Sequence, residues 1–192
     1  MSRKVVHLLF GRDPSIDEIL SRNNLLFFTR RIVANKRLNT LYIDASFAIH
    51  HDAKSHTGAI LSFGPNGGTI FAKSSKQKLV TWSSTEAELV AVHDAMGHAI
   101  HVRAIIEELV DLSWPIILYQ DNQSTISLIS SQEAVGQRSR HINLRYFSIR
   151  EYVENDVVIV QYLPTSLMKA DILTKPLSGA LFTIMRDWIL NL

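Results

Sequence analysis

The 192-residue chain contains no cysteine, so it forms neither a disulfide nor a thiolate zinc site, and any metal must take oxygen or imidazole ligands. That usage fits an intracellular protein, of cytoplasm or nucleus. Long apolar runs are missing too. No stretch reaches the roughly 18 residues that a membrane-spanning helix needs, and the apolar patch at residues 5–10 is short and interrupted by His7. Neither a membrane partner nor a signal peptide is expected. Excess charge is also small: 20 basic residues face 18 acidic ones, a formal net charge of +2. Charge balance alone therefore announces no nucleic-acid partner, and placement has to decide. The chain has no Gly-rich phosphate loop, no Gly-x-Ser-x-Gly elbow and no His-Glu-x-x-His pattern. Nucleotide kinase, serine hydrolase and zinc peptidase chemistry thus lose their usual signatures.

What is present suits one core with additions, since 46% of the residues are hydrophobic and 20% charged. The pattern changes near residue 39. Before it, Arg12-Asp13-Pro14-Ser15 reads as an N-cap with a first-turn proline, and residues 16–28 as a partly amphipathic helix without recognisable chemistry. From Thr40 the period becomes two, with Leu41, Ile43, Ala45 and Phe47 alternating with Tyr42, Asp44 and Ser46. Residues 57–63 and 69–73 read as strands joined by Gly64-Pro65-Asn66-Gly67-Gly68, whose Asn-Gly-Gly supplies positive φ for a tight hairpin. A further short strand is expected over 79–82, completing an antiparallel meander. Ser83-Ser84-Thr85-Glu86 is a capping box that opens a long helix ending near Leu112. Residues 115–120 then read as a buried strand and 122–130 as a helix. Residues 142–154 read as a helix, Asn155-Asp156 as a turn, 157–163 as a strand, and the chain from Ser166 as helical with a break at Pro176. The order predicts an α/β fold, a mixed sheet covered by helices.

Four acids stand out against this framework. Stepping by helical turns from Glu88 meets Val92, Ala95, Ala99, Val102, Ile106 and Leu109, so a carboxylate lies in the buried stripe. Glu86 falls on a mixed face and is explained as the capping glutamate; Thr85-Glu86-Ala87-Glu88 leaves open that Glu88 merely caps as well. Asp44 sits inside a strand, where aspartate is disfavoured, although an exposed edge position also accounts for it. Asp121 ends a strand before a helix, which suits either a ligand site or an N-cap. Asp171 lies in the first turns of the last helical region, where an acid complements the helix dipole. Brought to one sheet edge, the four would repel one another unless cations neutralised them. An all-oxygen set of that kind favours magnesium or manganese, and a pair of such ions is the usual device for in-line phosphodiester cleavage.

The blocks Tyr42-Ile43-Asp44-Ala45-Ser46, Ser83-Ser84-Thr85-Glu86-Ala87-Glu88-Leu89, Asp121-Asn122-Gln123-Ser124, Arg140-His141-Ile142-Asn143-Leu144-Arg145-Tyr146 and Ala170-Asp171-Ile172-Leu173-Thr174-Lys175-Pro176-Leu177 together resemble the successive motifs of copia-type retrotransposon ribonucleases H. The resemblance spans about residues 39–180 and implies the ribonuclease H fold, a five-stranded mixed sheet with three antiparallel strands, then parallel additions, flanked by helices. On that pattern residues 39–192 form the domain and 1–38 a segment of unassigned role. The resemblance further implies that Asp44, Glu88, Asp121 and Asp171 are the catalytic acids. They would hold two Mg2+ ions, replaceable by Mn2+, for endonucleolytic cleavage of the RNA strand of RNA/DNA hybrids, with a reverse transcriptase domain as a further partner. Cellular relatives carry a histidine in the loop before the last aspartate, whereas residues 162–170 here contain none. That departure, with the unmatched N-terminal segment, keeps a second expectation in play: an inactive remnant that binds nucleic acid or serves structurally.

Lys73, Lys76, Arg138, Arg140 and Arg145 are the expected contacts to the nucleic-acid backbone, though a solvated charged surface explains them equally well. His98 and His101 have a spacing compatible with zinc but no evident third ligand, so surface histidines are the better account. Trp82, Trp114 and Trp188 are isolated, and core or rim positions are expected for them rather than base-stacking roles.

Overall fold

A computed structural model of the chain describes residues 39–65, 67–110, 113–130 and 140–190. The helix expected over 16–28 lies outside them, as does Arg138. Five strands, β1 (Asn39–Ser46), β2 (His56–Phe63), β3 (Thr69–Lys76), β4 (Ile116–Gln120) and β5 (Val158–Tyr162), form one sheet in the order β3-β2-β1-β4-β5. β1 pairs antiparallel with β2, and β2 with β3; β4 runs parallel to both β1 and β5. The helices are α1 (Ser84–Val110), α2 (Gln123–Ser130), α3 (Arg140–Glu154) and α4 (Gly179–Leu190).

The alternation of β1 sorts its side chains into two buried layers. Leu41 and Ile43 join Ala59, Leu61, Ile116 and Leu118 in the larger core, which α1 fills with Leu89, Val92, Ala95, Met96 and Ala99, and α2 and α3 complete with Ile129, Tyr146 and Ile149. Tyr42 points the other way, into a smaller core with Ile60, Ile117, Tyr119, Met168 and Ala170. A central strand covered on both faces is a costly place for an unpartnered polar side chain, so Asp44, on the Tyr42 side and 3% exposed, requires partners. The parallel β1–β4 pairing also brings the carboxyl ends of both strands to one edge of the sheet, where ligand sites of open α/β sheets form.

Three expectations need correction. Residues 79–82 are not a strand. β3 continues to Lys76 instead, after which the buried Gln77 side chain donates to Thr57 Oγ1 (3.1 Å) and to the Ala87 carbonyl (2.8 Å), drawing the chain off the sheet toward α1. The region from Ser166 opens with two 3-10 turns, Thr165–Leu167 and Lys169–Leu173, separated by the extended Met168 (φ −73, ψ 99), and α-helix returns only at Gly179. In the β2–β3 turn the described positive φ (+77°) falls on Gly64, while Gly67 is needed for space: a Cβ there would stand 1.8 Å from the Phe63 carbonyl oxygen. Trp114 is core (8% exposed), but Trp82 stands almost wholly in solvent at 87%.

Gly58 shows how the last turns reach the sheet. It pairs with Asp44 across β1 and β2. A Cβ on it would lie 2.6 Å from Thr174 Cγ2, 2.9 Å from the Ala170 carbonyl oxygen and 3.1 Å from Leu173 Cβ. The absent side chain lets the segment bearing Asp171 settle beside Asp44. Gly58→Val is expected to cost roughly 1–3 kcal/mol, seen as a lower urea midpoint with unchanged slope; an unchanged midpoint would show that this close approach is not required.

Candidate metal centre

Asp44, Glu88 and Asp121 converge at the carboxyl edge of β1 and β4, each offering an oxygen within 4.8 Å of the others. They come from a strand, a helix and the turn after a strand, and the elements fix each differently. Ser83 caps α1, its Oγ accepting from the Glu86 amide (3.2 Å), while Glu86 Oε2 reaches back one residue beyond the cap to accept from the Trp82 amide (2.9 Å). This start points Glu88 inward one turn along. Its Oε1 accepts from the Ala45 amide (3.0 Å) and its Oε2 from Gln120 Nε2 (3.1 Å). Glu88 is therefore no cap; it crosses from helix to sheet edge and is 4% exposed.

Gln120 is the organiser that the sequence reading passed over. It is fully buried at the end of β4, and while its amide nitrogen serves Glu88, its Oε1 accepts from the amides of Asp121 (2.8 Å) and Asn122 (2.9 Å). A polar residue closing the apolar run Ile116–Gln120 was the available signal. The N-cap of α2 is Asn122, whose Oδ1 accepts from the Thr125 amide (3.1 Å). Asp121 is thus released from capping. Its Oδ2 accepts from Thr165 Oγ1 (2.7 Å), on the first 3-10 turn.

Asp171 is buried on the second 3-10 turn, outside the set of three mutually close acids. Its Oδ1 receives Lys175 Nζ at 2.8 Å, and the same ammonium lies 3.4 Å from Asp44 Oδ1. Asp44 Oδ2 accepts a short hydrogen bond from Thr174 Oγ1, and Ser46 Oγ donates to the Thr174 carbonyl (2.9 Å). Thr174 and Lys175 thus fasten the last segment to β1. The i, i+4 spacing of Asp171 and Lys175 was the signal for that pair.

Crowding of like charges shows in the protonation equilibria. Burial, then the Asp44 and Asp121 carboxylates, push Glu88 up to about 8 against the hydrogen bonds from Gln120 and Ala45. Burial raises Asp171, with Lys175 opposing and Asp44 adding to the rise. Burial alone would lower Lys175, but its bonds to Asp171 and Asp44 outweigh that and raise it. Buried carboxylates that repel, with hard oxygen donors and no sulfur or imidazole among them, are a donor set for a hard divalent cation.

Of the expected nucleic-acid contacts, Lys73, Lys76 and Arg145 have neighbours elsewhere on the molecule. Lys73 Nζ donates to the Asp94 carbonyl (3.4 Å) on the α1 face of the sheet, and Lys76 pairs with Asp52 (2.9 Å). Arg145 sits on α3, where its charge acts on Asp94. Arg140 begins α3. His98 is exposed and stacks on Phe71, with ring centroids 4.4 Å apart; among the described residues, no histidine joins a group of three or more metal-ligating side chains.

A three-stranded antiparallel meander extended by parallel strands, with acids at the shared carboxyl edge, is the ribonuclease H fold. A ribonuclease H1 isolated from compost matches it with a TM-score of 0.54 at 16% identity, over 70% of this chain and 91% of that one. In sequence, the chain is 34% identical over 149 residues to the retrovirus-related Pol polyprotein of a Nicotiana tabacum transposon, a match covering 77% of this chain and 11% of the polyprotein. It is 35% identical over 149 residues to a Ty1 Gag-Pol polyprotein of Saccharomyces cerevisiae, covering 76% of this chain and 8% of that one. Its relatives in sequence are thus Pol polyproteins of retrotransposons. It spans only about a tenth of the length of these relatives. No protein-family model matches it.

Glu88 sets a pH dependence. In the folded protein its proton is held up to about pH 8, whereas the unfolded chain loses it near 4.5. The stability contribution is therefore complete below the lower value and falls as pH rises through the upper one. In EDTA, Glu88→Gln is expected to flatten this decline between about pH 5 and 8.5 in urea denaturation; a variant with the wild-type slope would show that Glu88 is not the group responsible.

Proposed function

We propose that this chain is a ribonuclease H that hydrolyses the RNA strand of RNA/DNA hybrids endonucleolytically. The observation that carries this reading is the convergence of Asp44, Glu88 and Asp121 within 4.8 Å at the edge of a ribonuclease H sheet, with Asp171 tied to Asp44 through one lysine. The compost ribonuclease H1 that shares this fold has been solved in complex with an RNA/DNA hybrid. Asp44, Glu88, Asp121 and Asp171 are the proposed catalytic acids and the ligands of two Mg2+ ions, for which Mn2+ would substitute. Bound there, the ions would supply an activated water and charge stabilisation at the departing ribose oxygen.

The protein's own groups do the positioning. Ala45 and Gln120 hold both oxygens of Glu88, Thr165 fixes one oxygen of Asp121, and Thr174 fixes one of Asp44. These three carboxylates are oriented before any ligand arrives, which limits the reorganisation left to the reaction. Discrimination of RNA from DNA rests on 2′-hydroxyls read across a wide minor groove, so little sequence preference follows. Lys73, Lys76, Arg138, Arg140 and Arg145 are the proposed backbone contacts; for Lys76 this means exchanging Asp52 for a phosphate.

The sequence relatives are polyproteins, so a reverse transcriptase domain is the proposed neighbour and the cytoplasm or nucleus the proposed setting. Among the described residues, no helix is long and apolar enough to cross a membrane.

Cleavage of a labelled hybrid in magnesium by wild type and by Asp121→Asn tests the assignment. The variant is expected to keep the wild-type circular dichroism spectrum and to lose at least about 100-fold in rate. Equal rates would remove Asp121 from the site, and salt-sensitive hybrid binding by a folded wild type with no metal-dependent turnover would favour the inactive remnant.

A further inference from the structure

The fourth acid is the anomaly of this site. Three carboxylates share one small volume, yet Asp171, on the turn that Gly58 admits to the sheet, spends its Oδ1 on Lys175. Lys175 Nζ stands between Asp171 (2.8 Å) and Asp44 (3.4 Å). Among the described residues it is the one cationic side chain ion-paired with any of the four acids. The Asp44 and Asp171 side chains are nearly buried, at 4% and 10% exposure, whereas that of Lys175 is 39% exposed. The lysine side chain therefore has contact with solvent that its two partners largely lack.

We infer that Lys175 is a tethered counter-ion, which holds the place of a second cation between Asp44 and Asp171 and must leave it for that cation to bind. The inference rests on the proposed function and deepens it. An ammonium on a flexible four-carbon stem is a point charge without the fixed fork of a guanidinium, so it gives up one geometry for another at little cost. Its oxygen partners are hard donors that prefer a divalent ion once one is available. The backbone stays in place during the exchange, because Lys175 N donates to the Asp171 carbonyl (2.8 Å) and Thr174 Oγ1 bonds Asp44 independently of the lysine side chain. Two consequences follow. Without divalent ions, Lys175 relieves the repulsion between Asp44 and Asp171. With them, it competes, weakening the second binding step relative to the first, at the cluster of Asp44, Glu88 and Asp121.

Calorimetric titration with Mn2+, paired with thermal unfolding in EDTA and in saturating Mn2+, tests this on the full chain with Lys175→Met and Lys175→Arg. Lys175→Met is expected to melt lower than wild type in EDTA, to regain that loss in Mn2+, and to bind the weaker ion roughly 3- to 10-fold more tightly. Lys175→Arg, which keeps the charge, is expected to bind that ion no more tightly than wild type. Equal or weaker Mn2+ binding by Lys175→Met would overturn the inference while leaving the metal centre intact. A folded wild type that binds no Mn2+ would instead remove the metal centre itself. Should Lys175→Met fail to fold even in Mn2+, Lys175→Gln, neutral but still a hydrogen-bond donor, decides by the same comparison.

Discussion

Repulsion among carboxylates held at one buried edge is the constraint around which this molecule is built. Two parallel strands, β1 and β4, deliver Asp44 and Asp121 to the same end of the sheet, and α1 adds Glu88 from above. In water such acids would separate and ionise independently. Here the strands and the helix forbid separation, and the strain shows instead in the protonation of Glu88, which burial and its neighbours push up to about 8. A fold optimised for stability alone would place apolar side chains at these positions. Their retention in a rigid frame is the physical argument for a site.

The constraint explains several features that otherwise look unrelated. Gln120 is buried without loss because all of its hydrogen bonds go to the site: one to Glu88 and two from the amides that set the course of the chain at Asp121. Gly58 lacks a side chain where Asp44 is its pairing partner, and the last 3-10 turns pack into that space. The turns and the two residues that follow them supply Thr165, Thr174 and Lys175, a hydroxyl for each of two aspartates and a charge shared by Asp44 and Asp171. The smaller core, built on Tyr42, Tyr119, Met168 and Ala170, anchors this segment beneath the acids. Packing on one face of the sheet thus determines electrostatics at its edge.

Much of this was legible from period and spacing. The two-residue alternation of β1, the capping box at Ser83 and the turn at Asn155-Asp156 each have local causes and appear where expected, the last with Asp156 at φ +54°. Glu88 was visible as an acid in an apolar stripe. Partners distant in sequence were not legible: Thr174 binds Asp44 across 130 residues and Thr165 binds Asp121 across 44, and no local pattern encodes such contacts. The misread strand over 79–82 fails for the same reason, since the Gln77 side chain bridges Thr57 of β2 to Ala87 of α1 where the sheet ends. The choice between α and 3-10 geometry after Ser166 was likewise settled by Met168, which leaves helical geometry to enter the smaller core.

The central claim is that these four acids form one centre for two divalent ions, and diffraction from crystals grown with Mn2+ tests it most directly through the metal's anomalous signal. Two peaks are expected at the carboxyl edge of β1 and β4, one among Asp44, Glu88 and Asp121 and one between Asp44 and Asp171, with the Lys175 ammonium withdrawn from the latter. Fully occupied Mn2+ elsewhere, with none between these carboxylates, would contradict it.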